Sequence, residues 1–179
     1  MPKFISILRG INVGGSRSIP MAELKTLYEA LNFKRVTTYI QSGNVIFKCD
    51  EVAGLSLRIE NKIRERYNYE VPVILRTLDE MKEILKRNPY IKEEGIHQDK
   101  LHVTFLKEYP HPELIDKIKT NGYENDRFVV EANEVFLYCP NGYGRTKLTN
   151  SFFESKLKVV ATTRNWNTVN KLVELGDAI

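Results

Sequence analysis

Apolar positions along this chain recur in two rhythms, and the switches between them predict the elements. Phe4, Ile5, Ile7 and Leu8 form a dense run with the pattern of a buried strand over residues 4–9. Ile19, Leu24, Leu27, Tyr28 and Leu31 then recur at helical spacing, predicting an amphipathic helix over about 20–31. Pro20 suits its first turn and Asn32 its end. Residues 36–40 and 45–47 are β-branched and aromatic, and Gln41-Ser42-Gly43-Asn44 between them is turn chemistry, so this stretch reads as a hairpin. Leu55, Ile59, Ile63 and Tyr67 mark a second helix. Residues 71–75 read as a strand in which Pro72 points to an edge or a strand start. A helix over 78–87 stops before Asn88-Pro89. The order is βαββαβ with an extra helix, the split-βαβ plan.

The second half repeats it. Residues 101–106 read as a strand and 112–120 as a helix, and 128–131 and 135–138 form a hairpin across Ala132-Asn133-Glu134. A helix over 150–157, a strand over 159–163 and a helix over 167–175 follow. A shift of 90 places Glu23-Leu24 on Glu113-Leu114 and the segment 42–49, ending in Cys49, on 132–139, ending in Cys139. A shift of 88 places Arg76-Thr77-Leu78 on Arg164-Asn165-Trp166. Long agreement in element order favours duplication. The expected fold is α+β, a tandem duplication of a ferredoxin-like unit with halves 1–90 and 91–179. Each half carries an antiparallel sheet and an extra C-terminal helix.

Composition narrows the class. The chain has 179 residues, 42% hydrophobic and 28% charged, enough for a core and a hydrated surface. No apolar run approaches the ~18–20 residues that span a bilayer, and the first residues lack a signal-peptide pattern. Two distant cysteines without metal-ligand spacing suit a cytoplasmic protein with reduced thiols. The net charge of +4 is uneven: +5 over residues 1–48, −4 over 49–139 and +3 over 140–179. Basic ends brought together would favour an anionic partner.

Leu8-Arg9-Gly10-Ile11-Asn12-Val13-Gly14-Gly15, Tyr39-Ile40-Gln41-Ser42-Gly43-Asn44-Val45 and Thr163-Arg164-Asn165-Trp166 together resemble the DUF1697 family, bacterial proteins without an assigned function. The resemblance runs over essentially the whole chain. It implies an α+β fold of ferredoxin-like halves and brings no reaction, cofactor or catalytic residue.

The site therefore rests on residue chemistry. Arg9 leaves the first strand, Asn12 offers an amide, and Gly14 and Gly15 permit positive φ and close backbone approach to a ligand ahead of a helix N-terminus. Neither a Walker loop nor a dinucleotide fingerprint is present. Gln41 and Asn44 sit in the hairpin turn, where glycine and asparagine are ordinary and Gln41 is a candidate donor or cap for the glycine loop. Arg145 and Lys147 follow two glycines and Tyr143, a loop that suits phosphate oxygens. Arg164 supplies a further guanidinium, beside Asn165 as an N-cap and Trp166 as a core or interface anchor.

The histidines share no metal-ligand spacing and no nucleophile motif exists, so no metal and no cofactor are implied. Tyr39, Phe47 and Tyr138 stand where an RNA-recognition domain stacks bases, without that domain's aromatic-rich motif. The leading reading is a phosphate-bearing ligand, nucleotide or nucleic acid, held by Arg9, Asn12, Gly14, Gly15, Gln41, Asn44, Arg145, Lys147 and Arg164 in one hollow. The enzyme alternative is a small phosphate-ester or acyl-phosphate hydrolase, by fold-level analogy with acylphosphatases. The third is an interaction module without a small ligand, including a homodimer through a sheet edge or Trp166.

Overall fold

The computed structural model describes residues 1–118 and 122–179. Its elements run β1 (Lys3–Leu8), α1 (Met21–Ala30), β2 (Lys34–Tyr39), β3 (Asn44–Lys48), α2 (Leu55–Tyr67), β4 (Val73–Thr77) and α3 (Leu78–Arg87). They continue as β5 (Leu101–Leu106), α4 (Pro112–Lys117), β6 (Arg127–Glu131), β7 (Glu134–Tyr138), α5 (Asn150–Leu157), β8 (Ala161–Asn165) and α6 (Trp166–Ala178). The helix expected over 112–120 stops at Lys117, because Ile118 is extended; Lys119 and Thr120 lie outside the described residues. The fold is mixed α+β with two four-stranded antiparallel sheets, ordered β2-β3-β1-β4 and β6-β7-β5-β8. By contacts the chain divides into Met1–Lys82 with Lys171–Ile179, and Glu83–Asn170.

The ladders of β1 and β5 with their neighbours match residue by residue, consistent with a duplicated arrangement, while β2 carries a register shift between Lys34 and Thr37 that β6 lacks. Ile5 pairs with Ile46 and Arg76 in the first sheet, and Val103 with Phe136 and Arg164 in the second. Leu8 N–H donates to Gly43 O and Arg9 N–H to Pro72 O; Leu106 N–H donates to Asn133 O and Lys107 N–H to Val160 O. Even the strand entries agree, with Cys49 N–H on Pro2 O and Cys139 N–H on Lys100 O.

In the first unit Phe4, Leu8, Val45, Phe47 and Val73 join Leu24, Leu27 and Tyr28 of α1 and Leu55, Ile59 and Ile63 of α2 in one core. The period of two on the strands and of three to four on the helices puts them there. Ser6 stands among them because its hydroxyl meets the Tyr28 hydroxyl at 2.7 Å. Ile5, Ile7, Ile46 and Ile74 alternate onto the opposite face and are buried as well. A sheet buried on both faces has no open platform for bases, and Phe47 is a core ring, so the likeness to an RNA-recognition domain fails. In the second unit Leu106, Val135, Leu137, Phe153 and Leu157 form the matching core.

α3 and α6 both leave their strands through a cap. Thr77 and Glu80 form a reciprocal capping box, and the Asn165 side chain accepts from Thr168 N–H at 2.8 Å, the expected N-cap. Trp166 is 4% exposed, so it is a core side chain and the expected interface anchor is lost. Pro72 precedes β4, which is an edge strand, as its missing N–H demands.

Candidate functional site

Where the two units differ is after β1 and between β2 and β3. The connection from β1 to α1 takes twelve residues, 9–20, against five, 107–111, between β5 and α4. The β2–β3 turn takes four residues, 40–43, against two, 132–133, between β6 and β7. Neither addition is needed to close the sheet, since the second unit closes the same strand order without it.

The two additions meet at one end of the first sheet. Asn12, at φ +55°, donates both amide hydrogens, to Ile19 O at 3.0 Å and Gln41 O at 2.8 Å. Its Oδ1 accepts from Ile19 N–H at 2.8 Å. It thus clamps the base of the loop and ties it to the hairpin turn. Between Asn12 and Arg17 the chain makes a miniature β-hairpin, with Asn12 N–H on Arg17 O, a Val13–Ser16 bridge and Ser16 N–H on Val13 O. Gly14 and Gly15, at φ +57° and +77°, form its tip, and a Cβ on either would meet nothing within 4 Å. Two successive positive-φ residues are what a tight primed turn requires. Gly43 has the opposite surroundings. It is buried at φ +86°, and a Cβ there would lie 2.6 Å from Ile11 Cδ1 and 3.0 Å from Leu8 Cβ.

Arg9 is half-buried and Arg17 is exposed at φ +48°. An Arg17 guanidinium nitrogen lies 3.4 Å from where a Gly10 Cβ would be. The Arg64 guanidinium, hydrogen-bonded to Glu70, holds that carboxyl below its usual range, and Arg17 adds a smaller pull. Pro20 stands at the N-cap of α1 and no side chain caps the helix, so its first N–H groups face the loop side. Gln41 is exposed and lends its carbonyl to Asn12. Asn44 is fully buried, and its amide goes to Tyr39 O at 2.9 Å and Ser42 Oγ at 3.2 Å. Arg9, Asn12, Gly14, Gly15, Gln41 and Asn44 therefore share one end of the first sheet, where Asn12 and Asn44 hold the scaffold and the glycine tip is open.

The other expected residues belong to the second unit. Arg145 ends a short 3-10 turn, Tyr143–Arg145, and both Arg145 and Lys147 are exposed. Thr146 between them donates to Asp126 Oδ2 at 2.6 Å, which pins the loop. The Tyr143 ring stacks on His102 at 4.8 Å. Arg164 is 7% exposed, with Nη1 on Thr162 Oγ1 and Thr163 O, both at 3.0 Å. Burial lowers its pKa to about 10, partly offset by Tyr143. Its counterpart Arg76 is also buried and donates to Leu75 O at 2.8 Å, so this arginine is a repeated part of the architecture.

Two apolar residues at the loop end escaped sequence reasoning. Val13 is 64% exposed and Ile40 44% exposed, the latter at φ +52°. A β-branched residue inside turn chemistry was their only signal. Elsewhere in the first unit a cleft of about 430 Å³ opens beside Pro2, Lys3, Thr77 and Asp79. Both of its lysines are already engaged, Lys82 with Asp177 at 2.6 Å and Lys3 with Gly176 O at 2.9 Å. The thiols are buried too, and burial pushes Cys139 up to about 11. Among the described residues no helix is long and apolar enough to cross a membrane.

The family model described as "Protein of unknown function (DUF1697)" matches residues 1–136. No curated protein matches the chain. The chain is similar in structure to conserved bacterial protein SP0830 from Streptococcus pneumoniae, with a TM-score of 0.75 over 98% of each chain and 19% identity. At that identity the likeness speaks for the fold alone.

Proposed function

The chain belongs to the DUF1697 family of proteins of unknown function, and from that premise we propose a binding role: it takes a phosphate-bearing anion, a nucleotide or nucleic acid, at the glycine loop of its first unit. The observation that carries this reading is the pair of additions, residues 9–20 and 40–43, that the second unit does without. They put an open tip of positive-φ glycines in the same connection as Arg9, Arg17 and the start of a helix without a side-chain cap. Asn12 and Asn44 act as its scaffold. Arg145 and Lys147 form a second basic loop, a candidate phosphate contact in its own unit.

Each repeat, 1–90 and 91–179, is a ferredoxin-like unit in this reading, supported by the strand order with β1 and β3 side by side. Buried, unpaired cysteines support a cytoplasmic protein. The hydrolase reading needs an exposed asparagine to hold water, and Asn44 offers none.

Titration calorimetry of the full chain with inorganic polyphosphate and ATP at low salt tests the proposal. Binding is expected to weaken with salt and to fall in Arg17→Gln and Arg9→Gln. No heat with either anion, or binding indifferent to both substitutions, refutes it.

A further inference from the structure

We infer that Val13 and Ile40 receive the face of an unpaired base, so that the anion bound at the glycine loop is a single-stranded nucleic acid. The inference rests on the phosphate-binding reading above and names its ligand class. Val13 and Ile40 adjoin in sequence the two ends of one hydrogen bond, Asn12 Nδ2 to Gln41 O, so each of the two additions presents one exposed aliphatic side chain next to the residue that ties it to the other.

Ile40 is the telling residue. A β-branched side chain at φ +52° is a backbone outlier that costs folding free energy. Glycine or asparagine would occupy the position without that cost. The matching turn of the second unit carries only Ala132, at φ +56°. With 44% exposure, burial in the fold does not explain the isoleucine.

The surroundings select the occupant. Residues 1–48 carry a net charge of +5, and the cations inside the first addition, Arg9 and Arg17, are arginines, whose planar forks match phosphate oxygens. A duplex keeps its base faces stacked inside, so an apolar patch discriminates for an unpaired base. A mononucleotide needs a concave site to bury itself, and a Cβ at Gly14 or Gly15 would stand in open space. A lipid interface is gripped by Trp, Phe and Leu, none of which stands among residues 9–20 or 40–43.

The test is fluorescence anisotropy of the full chain with a labelled single-stranded oligonucleotide, its duplex, labelled polyphosphate, and vesicles of phosphatidylserine. Ile40→Asn keeps a residue suited to left-handed φ and removes the apolar surface. The single strand is expected to bind about tenfold tighter than the duplex, and Ile40→Asn to lose about that factor, as burying an aliphatic side chain implies. Polyphosphate binding should be unchanged in Ile40→Asn and weakened in Arg17→Gln. Equal affinity for single strand and duplex, with Ile40→Asn silent and polyphosphate still bound, overturns this inference and leaves the anion site standing. Vesicle binding lost in Ile40→Asn, without oligonucleotide binding, overturns it in favour of a membrane. No binding of any probe removes both readings.

Discussion

Removing the Asn12 side chain tests the clamp on which the glycine loop depends. Asn12→Gly deletes three hydrogen bonds, to Ile19 O, to Gln41 O and from Ile19 N–H, while glycine tolerates the φ of +55°. At about 0.5–1.5 kcal/mol net per bond the loss is about 1.5–4.5 kcal/mol, and partial exposure puts it near 2. Asn12→Ala loses the same bonds and adds about 1 kcal/mol for a Cβ in the left-handed region. In a protein of this size about 1 kcal/mol moves Tm by roughly 2–4 °C, so the alanine variant should melt below the glycine variant.

The loop can also undock without global unfolding, which would cap the Tm effect. Amide hydrogen exchange separates the two cases. Ile19 N–H, whose acceptor is Asn12 Oδ1, should lose protection in both variants, while Leu8 N–H, on Gly43 O, should keep its own. Wild-type protection at Ile19 in both variants, or an alanine variant as stable as the glycine one, would falsify the clamp. Anion affinity should fall with loop order, although Asn12 has no amide hydrogen left for a ligand.

Gly43→Ala forces a Cβ to 2.6 Å from Ile11 Cδ1 at φ +86° and should cost about 2–4 kcal/mol in urea denaturation. Gly14→Ala, with open space, should cost about 1 kcal/mol, and equal losses would refute the close-approach argument. Glu134 has a side chain 2% exposed and meets Arg87 at 2.9 Å. Glu134→Ala should cost about 3 kcal/mol, the low end for a broken buried pair because Arg87 keeps Glu131 and solvent. Burial holds the His102 imidazole below its usual 6.5, the charge of Lys100 adds to this and a bond to the Lys100 backbone partly offsets it, while buried Nδ1 has no hydrogen-bond partner among the described residues. The unfolded chain therefore binds the proton first, and stability should fall as pH drops through 6.5 and level off below the native value. His102→Phe, the residue its counterpart Phe4 already is, should flatten that segment of a stability–pH curve; an unchanged slope rejects the assignment.

Element order was legible because alternation and helical spacing are written in apolar residues. Leu55, Ile59 and Ile63 sit on one buried face of α2, and residues 78–87 form a helix over the range their spacing indicates. Strand ends were harder. β4 begins at Val73 and β8 at Ala161, each two residues after the start that the apolar run indicates, since pairing partners on β1 and β5 decide where a ladder starts. At the site the glycine tip was legible, because only glycine is at home in consecutive positive-φ positions. Asn44 and Arg164 were misleading for one reason: polar residues that satisfy the backbone of a buried sheet look, in sequence, like residues reserved for a ligand.

The matching strand order of the two units supplies a way to tell the two kinds apart. Arg76 and Arg164 stand at the same register position, beside Ile5 and Val103, and each donates to the carbonyl one residue before it. A polar group that recurs in both units at one register solves a problem that both sheets share. A residue inside an addition to one unit solves no such problem, because the other unit folds to the same ladder without it. By that criterion Asn12 earns its place only through the loop it holds, and the loop through what its tip meets. Val13 and Ile40 then count for more than any buried arginine, for they are the apolar side chains that the additions turn outward.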